Sequence, residues 1–472
     1  MVSLNDVSGS LLHKPTDSAH SVGTRIDSQY KPLTTFNLSH QRSYQQQYGD
    51  MYFLRLTKIK PAVEEVAAAA WERTVIGDET AKQVERALDV RQGELCWVVG
   101  TVYMNLQNKP NILEDVSKDR WISRPDPVHK YFKEDEPEEI MLEDDSGRVR
   151  LVGDILHKIG LATGCIMAVM GTENSNGEFE VIDVKFPDLP PQPERWALSG
   201  QPGTQGNGVK KVKDEDQEMS GQTGGKRKKV AIVSGLAFSG SDASYALELE
   251  LLLEFLLGEV LSPDAQSELS EISRLIVAGN SISGTDVKPV TEEENKNKKY
   301  GYDASAYNAV PSQLFDEFLA EILASIPVTL MPGPQDPANS SYPQQPIHPA
   351  MFPNAREALG TGGQNVDDVY KYVNSEDRLG MMEAMCRWRC CAPTAPDTLW
   401  SYPFQDDDPF VIKDCPHLYF VGCQPEFGTK VVSGPAGQSV RLITVPSFST
   451  TKEIVLVDAE TLEVTKVKIT TA

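Results

Sequence analysis

Histidine and cysteine are scarce in this chain, with seven of each in 472 residues. Seven cysteines are too few for a disulfide scaffold at this length, and the odd count agrees with a reducing compartment. Long apolar runs are missing as well. No stretch approaches the roughly 18 apolar residues that span a bilayer. Residues 1–50 hold no continuous apolar segment of the kind a signal peptide needs. Positive charge is in deficit: Lys and Arg number 45 against 68 Asp and Glu, a formal net charge of −23. A phosphate backbone is gripped by clustered Lys and Arg, so this balance weighs against strong direct binding of DNA. Local basic patches remain compatible with it.

The length suits two or three domains, and an apolar fraction of 40% is enough for a sizeable core. Residues 1–35 are rich in Ser, Thr and Asp with little apolar content, which predicts a disordered N-terminus. Residues 36–75 carry Tyr44, Tyr48, Tyr52, Leu54 and Leu56 among good helix formers. That pattern predicts an amphipathic helix broken at Pro61, then a second helix through Trp71.

Between residues 76 and 190 the texture shortens. Residues 94–104, 148–156, 162–173 and 178–186 are rich in Val and Ile and separated by Gly or Asn, and they predict strands. Several short strands in about 100 residues suit a small all-β fold such as an OB-fold barrel. Trp97 and Tyr103 lie in the first of them and could stack bases, with core packing the better reading for Trp97. The acidic run 134–145, EDEPEEIMLEDD, reads as a solvated loop leading into a strand.

Residues 191–229 have almost no apolar side chain and predict a flexible linker. Its end, Lys226, Arg227, Lys228 and Lys229, reads equally as a nuclear-import cluster or a solvated charge patch.

From residue 230 to 472 apolar strands alternate with helical patterns, which predicts a layered α/β domain. Residues 245–259 form a helix pattern apolar nearly all round, hence buried, with Gly258 just past its end. Ser312 is placed to cap a helix carrying Leu314, Phe315, Phe318, Leu319, Ile322 and Leu323. Cys386, Cys390 and Cys391 lack a second Cys or His pair at zinc spacing and read as buried apolar residues.

In open α/β sheets, functional groups sit on loops beyond the carboxyl ends of strands. Four such loops follow apolar strands here: Ser234–Gly235–Leu236–Ala237, Gly279–Asn280–Ser281–Ile282–Ser283, Gly333–Pro334–Gln335–Asp336 and Gly422–Cys423–Gln424–Pro425. Their strand-and-glycine frame resembles the calcineurin-like metallophosphoesterases, which hold two metals on Asp, His and Asn at these places. Here the ligand positions carry Gly235, Ala237, Asn280, Ser283, Pro334, Gln335, Cys423 and Pro425. Divalent metals need carboxylate and imidazole donors. Gly, Ala and Pro supply none, Cys423 would serve only as a thiolate, and His348 and His417 are the sole histidines after residue 229. A two-metal hydrolytic centre is not expected, nor any metal or cofactor.

An inactive phosphoesterase-like domain behind an OB-like barrel is a combination found in the B subunits of replicative DNA polymerases. The chain resembles that alpha/delta/epsilon B-subunit family in the stretches 41–56, 360–373, 395–430 and 440–458, among them APDTLWSYPFQDDDPFVIKDCPHLYFVGCQPEFGTK. The QQQY–MYFLRL stretch favours its delta branch. One departure stands out: only Arg356 to Leu359 separates Ala355 from Gly360, where the family implies a further strand and an Asn-Pro turn.

The resemblance implies a non-catalytic nuclear scaffold of the polymerase delta holoenzyme, serving replication and repair. It implies two partners. One is the C-terminal domain of the catalytic subunit, held by the barrel and the phosphoesterase-like domain. The other is the N-terminal winged-helix domain of a third, clamp-linked subunit. DNA is then met indirectly, and no membrane is involved. The alternatives are an active metal-dependent phosphodiesterase, opposed by the missing ligands, and a single-strand-binding OB protein, opposed by the net charge.

Overall fold

A computed structural model describes residues 25–26, 28, 30–33, 35–38, 42–43, 45, 47–110, 130–132, 138–194, 228–258, 263–283, 308–338, 341–348, 351–352 and 363–470. The first long element is α1 (Gly49–Trp71), which buries Met51, Arg55, Ile59, Val63, Ala67 and Trp71. That spacing of four puts one stripe against the strands that follow. The expected break at Pro61 is absent, and the helix runs through it. Pro61 lies on the exposed side. The carbonyl it orphans, on exposed Thr57, faces water, and the buried stripe on the other side outweighs the local cost.

After three two-residue strands (Val75–Ile76, Glu79–Thr80 and Lys82–Gln83) come five longer ones: β1 (Cys96–Asn105), β2 (Glu139–Glu143), β3 (Arg148–Val152), β4 (Ile166–Glu173) and β5 (Glu178–Lys185). Pairing runs β1–β2–β3–β5–β4 and returns from β4 to β1. Only β3 with β5 is parallel in this circuit. The strand β2 falls inside the acidic run that reads as a loop in sequence. Its residues alternate, with Ile140 and Leu142 buried and Glu139, Met141 and Glu143 half-buried. Period-two burial accommodates acids on the outer face. Residues 134–137 of that run lie outside the described residues.

The strands from residue 229 onward form two sheets. A five-stranded sheet has the order β8–β7–β6–β12–β13, built from β6 (Lys229–Val233), β7 (Ile272–Ala278), β8 (Val328–Met331), β12 (Glu453–Asp458) and β13 (Val464–Lys468). Its first three strands are mutually parallel. A three-stranded sheet has the order β9–β11–β10, from β9 (Leu418–Gln424), β10 (Gly428–Ser433) and β11 (Ser439–Pro446). Ile232, Ala278, Ile443, Val445, Val455 and Val457 meet between the sheets. On the outer side of the larger sheet lie α2 (Ala246–Leu257), α3 (Pro263–Leu269) and α4 (Val310–Leu323); α5 (Gln364–Tyr372) and α6 (Arg378–Arg387) flank the smaller one.

Two expectations for these helices change. The α2 helix is not buried all round: Leu249, Leu252, Leu253 and Leu256 are buried, while Leu247 is 59% exposed. A helix lying on one sheet has one covered face, however apolar its sequence. Gly258 does end it in a left-handed conformation (φ 80°), its N–H donating to Glu254 O. Ser312 is not the cap residue, because α4 begins at Val310 after Ala309 and Ser312 is buried within its first turn.

The strand circuit and the two-sheet unit share a core. Val98, Met104 and Phe179 of the former lie in one apolar cluster with Val369, Met385 and Leu442 of the latter. A second tie is polar. Arg55 of α1 donates from Nε to Asp408 Oδ2 at 2.7 Å and from Nη1 to Pro393 O at 2.7 Å, both side chains being shut off from water.

The described part of the N-terminal segment is docked, contrary to the expectation for residues 1–35. Arg25 donates to Leu256 O, to Leu269 O (3.0 Å) and to Ser325 Oγ (2.7 Å), so one guanidinium serves the carboxyl ends of α2 and α3. Ile26 N–H meets Ser270 O, and Arg274 lies over the Tyr30 ring. These contacts depend on groups some 230 to 300 positions away, which local composition does not register. Residues 1–24 lie outside the described residues.

Residues 195–227, most of the expected linker, also lie outside them. Its two flanks are held. Gln192 bonds Pro416 O and Ser439 O. Lys229 opens β6 and pairs with Glu271 at 3.0 Å, so within the basic cluster Lys228 and Lys229 belong to the sheet margin.

Candidate functional site

Because β6, β7 and β8 are parallel neighbours, their following loops emerge at one edge of the sheet. The loop after β9 joins them from the smaller sheet, since Cys423 N–H donates to Ser234 Oγ at 2.9 Å. The four loops singled out in sequence therefore meet.

What holds them together is hydrogen bonding within the chain. Gly235 N–H reaches Gly279 O (2.8 Å) and Ala237 N–H reaches Asn280 O (3.0 Å). Asn280 Oδ1 accepts from Gln335 N–H at 3.1 Å. Ser283 N–H donates to Phe238 O at 2.9 Å. Ser234 Oγ lies 3.1 Å from Val445 O and 3.0 Å from Pro446 O. Asp336, on the loop after β8, turns inward: Oδ1 accepts from Ile282 N–H (2.9 Å) and Oδ2 from Gly333 N–H (2.7 Å). Each carboxylate oxygen is thus occupied by backbone, pinning the β7 loop to the β8 loop.

The backbone is crowded here. Ala237, Asn280 and Cys423 have φ of 51°, 50° and 57°, a region costly for residues with a Cβ. A Cβ on Gly422 would sit 1.9 Å from Ala278 O, and one on Gly333 would sit 2.4 Å from Asn280 Oδ1. Glycine at these two positions is what lets the loops close on each other.

Protonation agrees with a closed site. Burial pushes the Asp336 carboxyl up to about 6, against backbone N–H donors that pull it down. Burial likewise pushes the Cys423 thiol up to about 12, so it is a thiol at neutral pH, with Sγ 3.7 Å from Ala278 O. The thiolate that would have made Cys423 a metal ligand or nucleophile is disfavoured. Pro334, Gln335 and Pro425 are exposed, and Pro334 and Pro425 offer no side-chain donor. His417 precedes β9, roughly 20 Å along the strand from Cys423. Among the described residues no group of three His, Cys, Asp or Glu could hold a metal ion.

Sequence reasoning missed Ser234 as the joint between the loops. It also missed Asp367 of α5, which accepts from Arg378 Nη1 (2.9 Å) and Gln424 Nε2 (3.3 Å) beside the β9 loop. A serine in a Ser-Gly turn and an acid in a helix carry no spacing signal for such roles.

The strand circuit is the second candidate. Trp97 is 3% exposed and packs 6.0 Å from the Trp71 ring, so it is a core residue. The Tyr103 ring already carries Lys109 Nζ at 4.2 Å and the Arg148 guanidinium at 4.8 Å. Arg148 is paired with Glu143, and Arg150 with Glu139 and Glu178. Neither ring is an open stacking platform, and the cations beside them are neutralised by carboxylates.

Known proteins give matching likenesses. Residues 47–184 match a family model described as the DNA polymerase delta subunit OB-fold domain. Residues 230–361 and 357–429 match the model for the DNA polymerase alpha/epsilon B subunit. The second match divides at residues 357–361, and residues 353–362 lie outside the described residues. The chain is 33% identical to the DNA polymerase delta small subunit of Saccharomyces cerevisiae, over 94% of this chain and 93% of that one. It is 32% identical to the small subunit from Oryza sativa subsp. japonica (95% and 99% covered) and 30% identical to DNA polymerase delta subunit 2 of Drosophila melanogaster (93% and 97%).

Proposed function

The chain belongs to the DNA polymerase delta small-subunit family, and from that premise we propose that it is a non-catalytic scaffold bridging two other subunits of the holoenzyme. The observation that carries this is the closed loop edge, where backbone hydrogen bonds occupy the positions a two-metal hydrolase gives to ligands. On this reading the strand circuit is an OB barrel. The two sheets with their outer helices are a calcineurin-like phosphoesterase sandwich that has kept its frame and lost its chemistry. Gly235, Ala237, Asn280, Ser283, Pro334, Gln335, Cys423 and Pro425 are then structural residues.

The partners are the C-terminal domain of the catalytic subunit and the winged-helix domain of a third, clamp-linked subunit. DNA is reached through the complex, and the setting is the nucleus. The shared core supports a rigid spacer, since a bridge must hold its two docking faces at fixed separation. The domain boundaries proposed are a barrel over 76–190 and a phosphoesterase-like unit over 230–472, joined by 191–229.

Size-exclusion chromatography with the delta catalytic subunit's C-terminal domain tests the reading. Co-elution at micromolar concentration is expected. Separate elution of two folded proteins refutes it and returns the barrel to single-strand binding. A single-stranded DNA titration of the isolated chain is expected to show weak binding that fades steeply with salt.

A further inference from the structure

On the outer face of the larger sheet, α2 and α4 lie side by side and leave a groove of about 260 Å³ between them. Tyr245, Leu249 and Leu253 form one wall, at helical spacing of four. Leu314 and Phe318 form the other, and Val310 extends that stripe one turn toward the amino end of α4. Val310 and Leu314 are 45% and 40% exposed, so two successive turns of α4 present apolar groups on a face that the described residues do not cover. The groove is smaller than the roughly 300–1,000 Å³ of small-molecule sites. It suits one or two apolar side chains presented by another element.

Charge decides what that element is. Exposed Glu250, Glu317 and Glu321 line the same groove, and none of the three has an ion-pair partner among the described residues. No Lys or Arg lines it. An apolar trough rimmed by unpaired carboxylates is complementary to a helix with apolar residues at i, i+4 and i+7 and Lys or Arg beside them. We propose that the α2–α4 groove is a docking site for a basic amphipathic helix of a protein partner. The proposal rests on the groove alone and stands apart from the scaffold reading.

The test uses the full chain with its partner subunits. A photo-crosslinking residue is placed at Leu314, and a labelled amphipathic helical peptide of Leu and Lys serves as direct probe in a fluorescence-anisotropy titration. The expected results are crosslinks to a Lys/Arg-flanked apolar helix of another protein and saturable binding of the probe. Probe affinity should fall about tenfold in the combined Glu250→Gln, Glu317→Gln, Glu321→Gln variant, and at least as much in Leu314→Asp. Leu314 is a surface position, so circular dichroism should report an intact fold in that variant. Equal binding of a scrambled peptide of the same composition overturns the proposal. So do crosslinks confined to residues 284–307 of this chain or to a second copy of it, which would assign the groove another occupant. Co-elution with the catalytic subunit's C-terminal domain should survive both variants, which separates a failure of the groove from a failure of the scaffold reading.

Discussion

Asp336 and Asp408 are both buried acids at junctions, and they are satisfied in opposite ways. Asp408 sits where α1 meets the two-sheet unit and faces the Arg55 guanidinium at 2.7 Å. Asp336 sits at the loop edge and faces only backbone N–H groups. A buried carboxylate beside a cation is held in its charged form, and one without a cation takes up its proton at a higher pH. The first junction is therefore an ion pair that fails if one partner leaves. The second is a neutralisable clamp whose strength follows pH.

The largest effect is expected at the ion pair. Arg55→Ala strands Asp408 away from water, and breaking one side of a buried pair costs about 3–5 kcal/mol. A shift of that size should appear in urea unfolding of the complex. The double variant Arg55→Met, Asp408→Leu should recover much of the loss, because no charge is then left buried. Equal stability of the single and double variants would break the distinction drawn between the two junctions.

At the loop edge, Asp336→Ala leaves the Ile282 and Gly333 N–H groups without acceptors, at about 1–3 kcal/mol for a buried group left unsatisfied. The sign of the pH dependence is opposite to that of an ordinary paired carboxylate. Its folded value is raised from 3.8 to about 6, so the folded state holds the proton more tightly than the unfolded one. This contribution to stability is fully present below pH 3.8 and is lost as pH rises through about 6. Comparing stability–pH curves of the unaltered protein and Asp336→Asn isolates it. The difference between the two curves should change across that window and be flat above it.

The smallest effect is expected for Arg25→Ala, which removes one donor each from the carboxyl ends of α2 and α3 and one from Ser325 just past α4, but leaves the core untouched. About 1 kcal/mol is expected. The sharper readout is hydrogen exchange: amides near Ile26 and Ser270 should exchange faster while those of β6 and β7 stay unchanged. Faster exchange throughout would mean that the strap belongs to the cooperative core.

The two halves of the molecule were unequally legible. Four of the five longer strands of the N-terminal circuit and the four loops can be read from sequence, because period-two burial and Gly-bounded apolar runs are local signals. The misreadings share one physical cause. Pro61 looked like a helix stop, the 139–143 acids looked like a loop, and the leucines of α2 looked fully buried. In each case the neighbour across the interface decided the outcome. Arg55 is the plainest example, since nothing near it in the chain announces a partner 353 positions away.

Sequence by itself determined which side chains the four loops carry: Gly235, Ala237, Pro334 and Pro425 bring neither a carboxylate nor an imidazole, wherever the fold places them. It also determined the acidic balance and the alternation of strands and helices, which are properties of composition and spacing. Tertiary structure alone decided that the four loops close on one another, that Cys423 remains a thiol, that Tyr103 is already covered by cations, and that an acid-rimmed groove is left between α2 and α4. These depend on distances between residues far apart in the chain, and on how much water the packing leaves around them.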